Sequence, residues 1–427
     1  MFQPIPTGSE KKHPSEHFIA PLVTTRQSKT NLEVYVKDEA LKQIIQTKYQ
    51  SPLSNSDIEK LWKELHRQAS LTPDSNGRIT YNDYIEVKRN VPGPVGDYFS
   101  PSIFLGLEKD DQGRISIISF FQYCLRKEFY LKTRINLTLQ HSNGDEYVTE
   151  SDLDAFIKEM LPRFPHLKNL DETEHQYYCC HATRKFFFFL DPMNHGRIYI
   201  KSLITSPILS ELMMMKEDDL TEDQLLMNWF SLDIYRRVYE NYINTDNDQD
   251  GLLSEQELYH YGYGSFTKIF INRILDEFNT FEKKLDFKSY LNFILMIRYK
   301  KTKESLTLYF RLFDYNQRGY ITVNEVNAFV HEMVNHLKDI NIMMEFDPED
   351  VKNEIFDLVR PKVPDRITLD DLIACGCGDL IVGMMTDSNR FYNYDQREYD
   401  HSKKDEVIDD IIPDPPRYDG YENDDDF

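Results

Sequence analysis

Long apolar runs are missing from this chain. No stretch approaches the ~20 residues that a membrane-spanning helix needs, and Met1–Ser9 lacks the apolar segment of a secretory leader. Cysteine is sparse: Cys124, Cys179, Cys180, Cys375 and Cys377 are odd in number and have no framework spacing. No further ligands accompany them, so zinc and disulfide frameworks are excluded, and free thiols in a reducing compartment are expected. The sequon Asn136-Leu-Thr138 would then meet no glycosylation machinery. Basic charge is in deficit. Lys and Arg number 50 against 72 Asp and Glu, leaving −22, which argues against nucleic acid and anionic membranes as partners. Catalytic signatures are also lacking: there are no phosphate-loop or dinucleotide-binding glycines, no G-x-S-x-G and no H-E-x-x-H. His175 and His181 lie six residues apart, which does not set them on one helical face as metal ligands. Such a chain is expected to bind rather than to transform: not an enzyme.

What is present supports folded cores, with 40% hydrophobic and 13% aromatic residues. One segment departs from that balance. From Asp405 to Phe427 ten acidic residues face a single Arg, a local charge of −9, with Pro413, Pro415 and Pro416 among them. This reads as a disordered acidic tail. The expected organisation is a poorly ordered segment 1–38, a helical region 39–205, a second helical region 206–400 and the tail 401–427.

The strongest motif is Asp246-Asn-Asp-Gln-Asp-Gly-Leu-Leu-Ser-Glu-Gln-Glu257. It matches a calcium loop of the EF-hand type, in which a hard cation takes six to eight oxygens. Asp246, Asp248 and Asp250 supply carboxylates at positions 1, 3 and 5, and Gly251 permits the sharp turn at position 6. Leu252 offers its backbone carbonyl, Ser254 a hydroxyl for a bridging water, and Glu257 a bidentate carboxylate at position 12. Leu253, at position 8, is apolar, as a bridge between paired loops requires. Four carboxylates suit an affinity on the order of 10⁻⁷ to 10⁻⁵ M for calcium.

EF-hand units seldom stand alone, because each leaves an apolar face to be covered. The same skeleton recurs at Asp314–Glu325, with Leu306, Tyr309, Phe310 and Phe313 before it and Val326, Phe329, Val330 and Met333 after it at helical spacing. Weaker copies run from Thr72 to Asp83, from Glu108 to Ser119 and from Asp191 to Ser202. Remnants surround Val148 with Asp152, Leu285, and Ile367 with Asp371. Starting positions are then 72, 108, 141, 191, 246, 278, 314 and 360. The predicted fold is all-α: an elongated array of mostly degenerate EF-hand helix-loop-helix units with short β-bridges between paired loops. Only the Asp246 loop is complete. Arg318 sets a guanidinium where the second-best loop needs a carboxylate, and Ser119 and Ser202 cannot close a shell bidentately.

Local signals accompany this plan. Ser56-Asp-Ile-Glu59 predicts a capping box ahead of Leu61, Trp62 and Leu65. Tyr235, Val238, Tyr239 and Tyr242 form the stripe entering the complete loop. Gly262 and Gly264 predict a short helix leaving it, unlike sensors that swing open a long one. Phe186–Phe189 is expected to pack in a core.

Several segments together resemble one family: Arg114–Lys127, Arg184–Pro192, Asn228-Trp-Phe-Ser231, the Asp246–Glu257 loop, and the stretch from Gly378 to Glu398 that includes Thr386-Asp-Ser-Asn-Arg-Phe-Tyr. The chain is similar, over roughly residues 55 to 400, to the B″ regulatory subunits of type 2A serine/threonine protein phosphatase, in the gamma-type branch that includes the plant FASS/TONNEAU protein. That resemblance implies a non-catalytic subunit that binds a HEAT-repeat scaffold subunit and a catalytic subunit and controls which phosphoproteins are acted on. It implies one good calcium loop, on Asp246, Asp248, Asp250, Leu252 and Glu257. It also implies a cytoplasmic protein linked to microtubules or centrosomes, with the nucleus a further location. The alternative function is a free-standing EF-hand calcium sensor or buffer with no phosphatase partner.

Overall fold

The computed structural model describes residues 52–396, apart from 72–76, 92, 141–145, 279–281 and 341–346, with a few isolated positions between 32 and 43. The acidic tail lies outside the described residues, as does nearly all of segment 1–38 and the start of the Thr72 loop.

Helices dominate, and the loops between them pair two by two. In the first pair, β1 (Arg78–Ile79) separates α1 (Asn55–Ser70) from α2 (Tyr81–Asn90); α3 (Pro101–Gly106) is followed by β2 (Ile115–Ser116) and α4 (Ile117–Gln140). β1 and β2 run antiparallel with Ile79 opposite Ile115. The second pair joins β3 (Tyr147–Thr149), which leads into α5 (Glu150–Met160), to a strand that follows α6 (His175–Leu190). That strand is β4 (Arg197–Tyr199), and α7 (Ile200–Thr205) comes next. Two short helices intervene, α8 (Pro207–Met214) and α9 (Glu222–Met227). The third pair comprises α10 (Leu232–Thr245), α11 (Glu255–His260), α12 (Lys268–Glu277) and α13 (Phe287–Arg298), tied by a bridge between Leu253 and Leu285. The fourth comprises α14 (Lys303–Phe313), β5 (Ile321–Thr322), α15 (Val323–Asp339), α16 (Pro348–Val359), β6 (Arg366–Ile367) and α17 (Leu369–Ala374), with Ile321 opposite Ile367. α18 (Gly378–Thr386) and α19 (Ser388–Gln396) follow.

Position 8 of each loop supplies the bridging residue, so the eight starting positions read from the sequence are the ones that pair. Val148, Leu285 and Ile367, the centres of the three remnants, are buried at these bridges. Position 9 does a second job. Thr80, Ser254, Thr322 and Thr368 are N-caps of the helices that leave their loops, and each forms a capping box with the acid at position 12. Thr149 and Asp152 share the same hydrogen bonds. An acid at position 12 therefore stabilises a helix start whether or not its loop binds metal.

The capping box at the start of α1 differs from the expected one. Ser54, not Ser56, is the N-cap, and its partner is Asp57, not Glu59. The helix already begins at Asn55, because Asp57 reaches back to both the N–H and the hydroxyl of Ser54.

The described chain gathers into two compact units. One holds the described residues up to Phe156 together with Ile198–Ser206. Its core sets Leu61, Leu65, Tyr84, Val87, Tyr98 and Phe120 together; Leu61, Leu65 and Ala69 fall on one face of α1 because they recur at four-residue spacing. The other unit takes Ile157–Arg197 and the described residues from Pro207 on. Within it Phe186, Phe187 and Phe188 are buried on α6 and Phe189 is half-buried, so three of the four rings in the Phe run pack in the core. His181 is a core histidine, stacked on Trp229 at 4.2 Å between ring centroids. Each large ring so enclosed contributes roughly 1.5–3 kcal/mol relative to an exposed one.

Candidate metal centre

α10 buries Ile234, Tyr235, Val238, Tyr239 and Tyr242, and this stripe fixes where the helix delivers the Asp246 loop. Asp246 is the C-cap residue, its N–H donating to the Tyr242 carbonyl. The Tyr242 hydroxyl then donates to the Gly251 carbonyl at 2.6 Å, so the turn is pinned to the helix that precedes it. Gly251 has φ +81°, a conformation that a Cβ would strain. Its N–H donates to Asp246 Oδ2 at 3.0 Å. The N–H groups of Asp250 and Leu252 donate to Asp248 Oδ1 (3.1 Å) and Asp250 Oδ1 (2.8 Å), which turns each carboxylate into the loop. On the far side α11 follows its N-cap Ser254 and stops after six residues, just before Gly262 and Tyr263, which both adopt left-handed backbone. The short exit helix anticipated from the two glycines is present.

One carboxylate oxygen from each of Asp246, Asp248 and Asp250 lies within 4.8 Å of the others, and among the described residues this is the one such group. Glu257 closes the loop from position 12: Oε1 accepts from the N–H of Asn247 (2.7 Å) and of Asp248 (3.3 Å), and Oε2 from the N–H and hydroxyl of Ser254. Asp246 is buried, at 6% exposure, and its Oδ1 has no hydrogen-bond donor. Burial pushes the Asp246 carboxyl up to about 6, and repulsion from Glu257, Asp250 and Asp248 adds to that against the Gly251 N–H. Asp248 is held below the usual range by the Asp250 N–H and by Lys284. A buried carboxylate oxygen without a donor is costly, and a divalent cation would relieve both that lack and the mutual repulsion. The residues therefore fit a hard cation held by oxygen.

Sequence reasoning missed two participants. Helical spacing marks Tyr242 as core stripe only, yet its hydroxyl holds the loop. Nothing in the spacing singles out Lys284. It immediately precedes Leu285, whose N–H and C=O exchange hydrogen bonds with Leu253 at 2.8 Å each; that placement carries its ammonium to Asp250, with Asp248 at 3.5 Å. The remnant centred on Leu285 was the available signal.

Three of the other loops satisfy themselves among their described residues. In the Asp314 loop Arg318 donates to Glu325 Oε1 at 2.8 Å and Asn316 to the same atom at 3.0 Å, while Asp314 accepts the N–H groups of Arg318 and Gly319. Burial pushes Glu325 up, but hydrogen bonds from Thr322, Arg318 and Asn316 outweigh it and hold the carboxyl below its usual range. The guanidinium takes the place that a metal has in a complete loop. Arg114 pairs with Asp110 at 2.8 Å. Asp191 accepts the N–H groups of His195 and Gly196, so these two loops are closed by their own donors.

Comparison with known proteins bears on the family and the fold. A family model described as an EF-hand domain matches residues 131–218, the region of the second loop pair. The chain is 35% identical over 365 residues to the gamma-type B″ regulatory subunit of serine/threonine-protein phosphatase 2A from Danio rerio, covering 85% of this chain and 80% of that protein. The Homo sapiens protein of the same name is 35% identical over 367 residues, again covering 85% and 80%. TON2 of Arabidopsis thaliana, described as a probable B″ regulatory subunit of the same phosphatase, is 33% identical over 363 residues, covering 81% of this chain and 75% of that protein. Among solved structures, a chain of the PP2A PR70 holoenzyme shares the fold with a TM-score of 0.54 at 20% identity, covering 60% of this chain and 96% of that one. These relatives are regulatory subunits of a phosphatase and not its catalytic part. The chain belongs to the B″ family of regulatory subunits of serine/threonine-protein phosphatase 2A.

Proposed function

We propose that this chain is a calcium-binding subunit that joins a HEAT-repeat scaffold subunit and a catalytic subunit and selects the phosphoproteins brought to them. The observation that carries the calcium part is the convergence of Asp246, Asp248 and Asp250 around a buried Asp246 Oδ1 that no donor reaches. Those three carboxylates, the Leu252 carbonyl and Glu257 would hold the ion. Calcium, when bound, supplies the positive charge that lets four carboxylates crowd together. Asp246 ends α10 and Glu257 lies in the first turn of α11, so ligands on both helices tie their relative angle to the state of the loop. Contact with a partner that favours one angle would then depend on calcium, by differential binding to two states.

Family membership supports the assembly part, and the related fold in the PR70 holoenzyme is that of a subunit within such a complex. The test is gel filtration of the full chain with a purified scaffold–catalytic dimer at micromolar concentration, with calcium and with chelator. Co-elution with the dimer is expected. Separate elution in calcium would overturn the assembly reading and leave a free-standing sensor. We further place the chain in the cytoplasm at microtubule-organising sites, where a fluorescent fusion should concentrate; a uniform signal through the cell would count against this.

A further inference from the structure

Lys284 belongs to the loop opposite the metal centre, yet its ammonium reaches into that centre. It contacts Asp250 Oδ2 and lies 3.5 Å from Asp248 Oδ2, bridging two of the carboxylates that would hold calcium. Its backbone is fixed there from both sides. On one side Leu285 is locked to Leu253 by the paired hydrogen bonds. On the other, Glu282 and Lys283 adopt left-handed conformations, with φ 52° and 60°, a state that residues with a Cβ avoid unless neighbours impose it. The turn splits the two lysines: Lys283 pairs outward with Asp276 at 3.2 Å, and Lys284 turns inward. Lys284 is the more enclosed, with a quarter of its side chain exposed (25%) against 78% for Lys283.

We propose that Lys284 is a resident cation of the Asp246–Glu257 loop, a residue that stabilises the calcium-free form and must be displaced before calcium is held. An ammonium is a compact charge on a flexible stem, so it can neutralise Asp248 and Asp250 in part and can also withdraw. Arg318 does the equivalent work in the Asp314 loop from within that loop, through Glu325. In the metal centre the substitute comes from the paired loop instead, which leaves positions 1, 3, 5 and 12 intact. Affinity is thereby set lower than the ligands alone would give, and calcium entry is coupled to the paired loop through the Lys284–Leu285–Leu253 connection.

This inference rests on the calcium reading, and the experiment separates the two. Calcium titration calorimetry on the full chain compares wild type with Lys284→Met and, as a control, Lys283→Met. Lys284→Met should bind roughly twofold to fivefold more tightly, the range expected when a partly exposed ion pair is removed. Its melting temperature should fall in chelator but not in saturating calcium, while Lys283→Met should match wild type in both. A purely structural role would lower the melting temperature in both conditions. That result, or unchanged or weaker calcium affinity in Lys284→Met, would overturn the proposal. Lys284→Gln serves as the second variant should the Met form fail to fold. No calcium heat in wild type or any variant would remove the calcium reading itself.

Discussion

Single side chains make two tests. Burial pushes His181 down to about 3, so its ring stays neutral in the folded chain. Nε2 donates to the Trp229 carbonyl at 2.9 Å, and Nδ1 is buried without a partner. Because the folded value is depressed, the stability this group contributes is complete above the unfolded value near 6.5 and is lost as pH falls toward 3. Wild type should therefore lose about 2 kcal/mol more than His181→Gln between pH 7 and pH 5 in urea unfolding, since carboxylates common to both chains cancel. Equal pH slopes would show that the ring accepts a proton while folded. The second test lies in the loop. Glu257→Gln should weaken calcium binding by about a hundredfold or more, having lost a charge and bidentate oxygen. Ser254→Ala should weaken it only a few fold, as a water-mediated contact implies, yet lower stability by about 1 kcal/mol, because Ser254 is the N-cap of α11. Equal losses of affinity would argue against a bidentate Glu257.

At the scale of the loop and its two helices, one substitution separates scaffold from site. The Asp314 loop keeps Asp314, Gly319 and Glu325 in place and offers an amide oxygen from Asn316 at position 3, whereas Arg318 sets a cation at position 5, where the complete loop has Asp250. Arg318→Asp should raise the calcium stoichiometry from one to two in titration calorimetry. It should also lower the melting temperature in chelator, because Glu325, at 1% side-chain exposure, loses the guanidinium it now faces. A stoichiometry that stays at one would mean that the bridge between β5 and β6 holds the loop in a shape no metal can use. Much of this element was legible beforehand. Position 8 apolar residues, position 6 glycines and the Arg318 defect depend on local backbone geometry, which sequence spacing reports directly. The start of α1 was less legible because Ser54 and Ser56 offer equally good caps in sequence, and only the reach of Asp57 decides between them.

For the molecule as a whole, the paired loops and helices give surface for partners, and the relatives are regulatory. Adding the chain to a scaffold–catalytic dimer should change relative rates among phosphoproteins severalfold while leaving the rate on a small aryl phosphate nearly unchanged. Docking away from the reacting atoms changes which substrate is held, and an aryl phosphate is too small to reach a docking surface. A uniform change on all substrates would indicate an effect on the active site instead.

The sequence by itself determined the repeat, the all-helical class, which five residues are candidate ligands and the Arg318 departure in the second loop, because each is written in residues close along the chain. It also carried enough family likeness to indicate a regulatory subunit. Tertiary structure alone decided what lies across from those residues. Loops 246 and 278 meet at Leu253 and Leu285, and that pairing brings Lys284, 34 residues from Asp250, into the metal centre. It likewise left Asp246 Oδ1 buried without a donor and stacked His181 on Trp229. Spacing along a helix or a twelve-residue loop is fixed by local backbone geometry, whereas the charge and burial a side chain meets depend on segments that only packing brings together.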